Sequence, residues 1–241
     1  AFMAVGAYTS AILSTQVGIP FPVTLVPIVL IAALLGILIG LPALRLKGYY
    51  LAIATLAFGV VVQQVIAGSN ALGGFNGIRN IPGFIGGDQG TLIITGVFYL
   101  LLSLLSTAII ASPLGQRFRM VRDSELAARS YGIQLPRTKL LAFVLSAVYG
   151  GIAGGLYAHT VGFIVPASFG LVLSLNILAM VIIGGLASVH GPLIGSAIIV
   201  GLPFIFSRSF GGFLNIVVGA LLIVFVLFFP RGLAYGLTLA K

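Results

Sequence analysis

The chain has 241 residues, 60% of them hydrophobic and only 6% charged, with a mean hydropathy of +1.25. About a quarter of the residues of a soluble domain are charged, so a water-soluble fold is excluded and an integral membrane protein is expected. The 12 Lys+Arg against 3 Asp+Glu give a net charge of +9, but the bases sit at the ends of apolar runs and in one loop, which argues against nucleic acid as a partner.

A helix needs about 20 apolar residues to cross a bilayer, and a spanning segment must satisfy its own backbone, which leaves helices or closed barrels. The uncharged runs are long and do not alternate apolar with polar, so an all-α, polytopic integral membrane helix bundle is expected. The chain opens "AFMAVGAYTSAIL", without an initiator Met or a flanking charge, and reads as an N-terminally truncated sequence that starts inside a helix. The first span is placed at about 1–15 and the second at about 21–44, separated by "QVGIPFP"; the third runs over about 49–68. A polar loop, "SNALGGFNGIRNIPGFIGGDQG", precedes a fourth span at about 91–111. The charge-rich stretch "GQRFRMVRDSELAARSYGIQLPRTK" follows, with six bases and two acids. From Leu140 to Ser207 there are 68 residues without Lys, Arg, Asp or Glu. The turn signals "GFIVPASFG" and "LASVHGP" divide them into spans at about 140–161, 171–186 and 192–207. An eighth span, about 212–229, ends at "FFPRG". The whole is read as one transmembrane domain over 1–241, with about eight helices.

Placing loop 112–139 in the cytoplasm puts Arg45, Lys47, Arg117, Arg119, Arg122, Arg129, Arg137, Lys139, Arg231 and Lys241 inside and leaves Arg79 and Arg208 outside. That split follows the positive-inside bias and places the C-terminus in the cytoplasm.

No span carries a carboxylate, which disfavours a proton- or sodium-coupled carrier, although broken-helix carbonyls keep an ion-coupled secondary carrier open as an alternative. His159 and His190 are the only imidazoles, there is no Cys, and no acid completes a catalytic or metal-binding set, so the chain is not expected to be an enzyme and no metal is expected. No G-x-x-x-x-G-K-[ST] phosphate loop is present, and any ATP-driven work needs a separate subunit. Asn176 lines a substrate path or bonds a neighbouring helix; His159 and Tyr157 read as interfacial residues at the outer end of the fifth span. "YGGIAGG" and "GPLIG" carry small residues four apart, a spacing that lets helix backbones approach closely.

In the charged stretch, Ser112-Pro113 is a helix start. Leu114, Phe118 and Val121 share one face of that helix, so it is expected to lie along the membrane surface. Asp123 reads as a second cap that opens a short helix with Glu125 in its first turn. Gly132 closes it in the left-handed conformation and Pro136 prevents its resumption. The expected product is a short helix with a flat Ala127-Ala128 face, suited to a cleft in a partner protein. A merely solvated inner loop would explain the Arg residues and leave the caps unexplained.

The pattern "GRxxRxxRDxExAAxxxGI", approximated by Gly115, Arg117, Arg119, Arg122, Asp123, Glu125, Ala127, Ala128, Gly132 and Ile133, occurs in order with "KLLAFVLSAVYGGIAGGLYAH", "GFIVPASFG", "IIGGLASVHGPLIG", "GYYLAIATLAFG" and "GGFNGI". Together these resemble the membrane-spanning permease subunits of bacterial branched-chain amino acid ABC importers, in particular the LivM-like member of the permease pair. The resemblance implies that Asp123, Glu125, Ala127, Ala128 and Gly132 form the element that couples to an ATPase. It also implies a second homologous permease subunit, two cytoplasmic ATPase subunits holding ATP and Mg, an extracytoplasmic substrate-binding protein, and the bacterial inner membrane as the site. The general importer signature, Glu-Ala-Ala-x-x-x-Gly, is matched by Ala127, Ala128 and Gly132, but Leu126 stands at its Glu position and Glu125 comes one residue early. The function expected is transport of branched-chain or similar small hydrophobic amino acids, with urea, short amides or another small solute as the alternative. Gly73, Gly74, Asn76, Gly77 and Asn176 are candidates for the translocation path or outer gate. The 162–170 loop, with Phe163, Pro166, Ser168 and Phe169, is the candidate docking site for the binding protein.

Overall fold

The computed structural model describes residues 1–44, 49–84, 86–185 and 188–210. Among the described residues the fold is helical throughout: α1 (Phe2–Gln16), α2 (Phe21–Ala43), α3 (Tyr49–Gly68), α4 (Gly87–Ala111), α5 (Pro113–Asp123), α6 (Glu125–Ser130), α7 (Leu135–Val161), α8 (Leu171–Gly184) and α9 (Gly191–Phe210). Single 3₁₀ turns at Asn70–Leu72, Gly74–Asn76 and Pro166–Phe169 punctuate the connections. The seven expected spans that fall on described residues each coincide with a helix, and the eighth lies outside the described residues.

By length and composition, four helical segments among the described residues can cross a membrane: α2, α4, α7 and the stretch Pro166–Gly184; a fifth is α3 taken with the turns after it, bent by 93° at the break. This is fewer than eight. The 15 residues of α1 rise only about 22 Å, short of a hydrocarbon core of about 30 Å, and the described apolar part of α9, Gly191–Gly201, is likewise short.

The chain divides into two compact units, Ala1–Leu171 and Val172–Lys241. In the first, α1, α2 and α7 pack against one another. Gly6 meets Gly151, and Ser10 and Ser14 meet His159, so α1 and α7 run parallel. Against α2 the order reverses: Phe21 meets His159, Ile28 meets Gly155 and Gly40 meets Leu140, so these two are antiparallel. Parallel α1 and α7 require an odd number of crossing helices between them, which α2, α3 and α4 supply. The "YGGIAGG" spacing has the structural consequence expected of it. A Cβ on Gly154 would strike the carbonyl oxygen of Met3, so α1 and α7 touch backbone to backbone.

The outward faces are apolar. On α2, Phe21, Thr24, Ile28, Ala32, Gly36 and Gly40 are buried while Val23, Val26, Leu30, Leu34, Leu38 and Leu41 are exposed. On α4, Leu92, Ile93, Val97, Leu100, Leu101, Leu104 and Leu105 are exposed. A helix apolar on both its packed and its open face belongs in lipid or against another membrane subunit. In the second unit, α8 and α9 also pack through glycine: a Cβ on Gly195 would strike the Met180 carbonyl.

Candidate functional site

The first unit presents two differently built ends. At one, Ser112 occupies the cap position of α5, but its hydroxyl bonds back to the Ile109 carbonyl at 2.6 Å rather than to an α5 amide. Arg119 donates to the Ile110 carbonyl at 2.9 Å and so closes the end of α4. Gly115 is buried where any side chain would strike the carbonyls of Ile109 and Ile110, which lets α5 fold back against α4.

The cap of α6 is Ser124, whose hydroxyl accepts from the Ala127 amide at 3.2 Å. The expected cap, Asp123, instead completes α5 and pairs with Arg122 at 2.9 Å. Both residue types cap well, and the chain bends one residue later than expected. Glu125 occupies the first turn of α6 and reaches Lys139 Nζ at 2.6 Å, bridging to the start of α7. The far end of α6 closes as expected at Gly132, with φ of 74°. Its amide donates to the Arg129 carbonyl at 2.9 Å and that of Ile133 to the Ala128 carbonyl at 3.0 Å, the double bond of a Schellman motif.

The expected flat Ala127-Ala128 face is corrected by this geometry. Ala128 is fully buried, turned into the angle between α6 and its neighbours α5 and α7, and only Ala127 faces out. A six-residue helix resting on two others has one side to bury, and Ala128 lies on it. The outward surface is carried by Leu126 and Tyr131, which are 79% and 77% exposed. This end also holds Arg117, Arg119, Arg122, Arg129, Arg137 and Lys139.

At the opposite end, two connectors are stitched together. Ile78 and Ile164 exchange amide-carbonyl bonds of 2.9 and 3.0 Å, and the Ile81 amide donates to Gly162 at 3.1 Å. Gly77 lies so close that a Cβ there would strike the Ile164 carbonyl. Gly73 and Gly74 hold positive φ in the turns before it, and Asn76 is exposed beside them. Of the expected gate residues, Gly77 thus lies against the 162–170 loop, and Gly73, Gly74 and Asn76 stand in the turns just before it. The fifth, Asn176, is exposed on α8, in the second unit.

Of the expected docking residues, Phe163 is exposed and carries the Arg79 guanidinium 5.5 Å from its ring centre. Ser168 is half-buried. Pro166 and Phe169 are buried, with Phe169 edge-on to Tyr8 and Tyr157. Turn residues mark where a chain reverses, not which of them faces the bundle.

His159, expected at the interface, is buried. Its Nδ1 lies 2.7 Å from the Pro82 carbonyl. Its Nε2 lies 2.9 Å from Ser10 Oγ and 3.3 Å from Ser14 Oγ, and Ser10 Oγ is 3.0 Å from Thr24 Oγ1. Phe21 and Phe84 flank the ring. The sequence sign of this network is the pair of hydroxyls, Ser10 and Ser14, four apart in α1.

Residues 1–228 match the family described as branched-chain amino acid transport system / permease component. The chain belongs to that family. It is 34% identical to the high-affinity branched-chain amino acid transport system permease protein LivM of Escherichia coli and 33% identical to that of Salmonella typhimurium, in each case over 96% of this chain and 61% of the relative. It is also 31% identical to a probable branched-chain amino acid transport permease protein LivH of Methanocaldococcus jannaschii, over 59% of this chain and 44% of that one. The chain therefore spans about three fifths of the length of the LivM relatives. No solved structure matches it significantly.

Proposed function

We propose that the chain is the transmembrane permease subunit of an ATP-driven importer of branched-chain or similar small hydrophobic amino acids in the bacterial inner membrane. It works beside a second homologous permease subunit, two cytoplasmic ATPase subunits that bind ATP and Mg, and an extracytoplasmic substrate-binding protein. The chain forms one permease domain of about eight spans, with its C-terminus and the α5–α6 segment in the cytoplasm and the joined connectors outside. Ten of the twelve bases on the inner side support that orientation. The observation that carries the reading is the construction of α6. It is capped at both ends, bridged by Glu125 to Lys139, and displays Leu126 and Tyr131 to solvent.

Mechanically, closure of the ATPase dimer pushes on α6, and the short rigid link to α4 and α7 passes the displacement to the bundle. Asp123, Glu125 and Gly132 hold the shape of the lever, with Ala127, Leu126 and Tyr131 on its gripping side. At the outer end, Gly73, Gly74, Asn76 and Gly77 line the gate, and Arg79, Phe163 and Ser168 meet the binding protein. Substrate passes without covalent chemistry. The test is uptake into proteoliposomes holding the full assembly. Leucine uptake that requires ATP, the ATPase subunits and the binding protein is expected. Uptake by this chain without an ATPase would overturn the reading in favour of an ion-coupled carrier, and competition by urea rather than leucine would replace the substrate class.

A further inference from the structure

We infer that His159 is a positioning residue that latches the outer loop Gly77–Phe84 to the helix bundle, so that the loop's place reports the packing of α1 and α2 on α7. The loop contains no helix, and its backbone bonds at Ile78 and Ile81 run only to Ile164 and Gly162, in the other connector. Two contacts tie it into the bundle: the Pro82 carbonyl on His159 Nδ1 at 2.7 Å, and the Phe84 ring, which packs on both the imidazole and Phe21 of α2.

A carbonyl oxygen only accepts, so Nδ1 carries the proton, and in the neutral ring Nε2 is the acceptor for the hydroxyls of α1. Ser10 Oγ at 2.9 Å and Ser14 Oγ at 3.3 Å share its one lone pair, and Thr24, whose hydroxyl also reaches the Phe21 carbonyl at 2.7 Å, extends the chain to α2 through Ser10 at 3.0 Å. One buried ring thus has an arm to the loop and an arm to α1 and α2, on a fixed stem in α7. Because the imidazole is planar, a shift of α1 that turns Nε2 swings Nδ1 away from Pro82. If the chain is the permease proposed above, this passes helix movement to the outer surface, but the latch itself does not depend on that reading.

The two arms can be cut separately. His159→Asn places an amide donor near the Nδ1 position and keeps the Pro82 arm; His159→Gln reaches the Nε2 position and keeps the hydroxyl arm; His159→Phe keeps the packing against Phe21 and Phe84 and loses both. The chain has no cysteine, so Gly83→Cys, at an exposed site with room for a side chain, gives a single spin label beside Pro82. In the full assembly in nanodiscs, the Phe and Gln variants are expected to raise the detached population of the label by about fivefold or more, the effect of one buried hydrogen bond. The Asn variant should keep it held. An immobile loop in the Phe variant, or equal mobility in the Asn and Gln variants, overturns the latch; the Asn and Gln pair decides if the Phe variant does not fold. Binding-protein affinity, measured on the same samples, bears on the docking surface alone: a detached loop with unchanged affinity keeps the latch and removes the docking reading.

Discussion

Lys139 Nζ sits 2.6 Å from Glu125 Oε1, joining the first turn of α6 to the first turns of α7 across 14 residues. That contact accounts for a carboxylate that stands one place early relative to the general importer signature. Glu125 pairs within its own chain and ties α6 to the start of α7. Because both side chains are substantially exposed, the pair contributes only about 0.2–1 kcal/mol to stability. Glu125→Gln and Lys139→Ala are therefore expected to leave the melting temperature nearly unchanged while lowering substrate-stimulated ATPase activity. The exchanged pair, Glu125→Lys with Lys139→Glu, should restore it. Equal losses in the single and exchanged variants would show that Glu125 acts on a partner instead.

Gly132 is required by its backbone and not by space, since φ is 74° and no atom lies within 4 Å of a built Cβ. Gly132→Val is expected to cost about 1–3 kcal/mol of strain and to distort the end of α6. Gly132→Asn, which tolerates the left-handed region, should retain most activity. The check is the coupling ratio, amino acid transported per ATP hydrolysed. A Val variant with the wild-type ratio would remove Gly132 from the lever.

Leu126 and Ala128 are separated by two positions and face opposite ways, one 79% exposed and the other fully buried. Leu126→Ala and Tyr131→Ala should leave the fold within about 0.5 kcal/mol and weaken retention of the ATPase subunits, as loss of an exposed apolar anchor does. Ala128→Leu should do the reverse, costing about 1–3 kcal/mol through overpacking before any docking is affected. Size-exclusion chromatography of the assembly and thermal unfolding of the permease separate these effects.

Gly154 lies where a side chain would strike the Met3 carbonyl. Gly154→Val is expected to separate α1 from α7 and lower the thermal stability of the assembly. Gly59, with nothing near its built Cβ, serves as the control, because Gly59→Ala should be neutral or stabilising.

Much of this fold was legible because the spans end on residues with strong local preferences. Pro20, Ser112-Pro113 and Gly162 stand at helix boundaries where the sequence predicted them. The cap of α6 was misread by one residue because Asp123 and Ser124 both cap, and only the Arg122 pairing and the bend of the chain choose between them. Residues that depend on a third dimension were not legible. His159 meets partners 145, 149 and 77 positions away, and neither composition nor spacing ties those distances together. Burial of Ala128, Pro166 and Phe169 depends on which side of a short turn meets the bundle, which turn signals leave open.

The proposed function requires α6 to stand in the cytoplasm as the surface an ATPase grips. Because the chain has no cysteine, Tyr131→Cys gives a single reporter on that surface. Its reaction with a membrane-impermeant maleimide can be followed in right-side-out and inside-out vesicles, with and without the ATPase subunits. Labelling confined to inside-out vesicles and suppressed by the ATPase subunits is the predicted result; labelling from the periplasmic side, or labelling unaffected by the ATPase subunits, would contradict it.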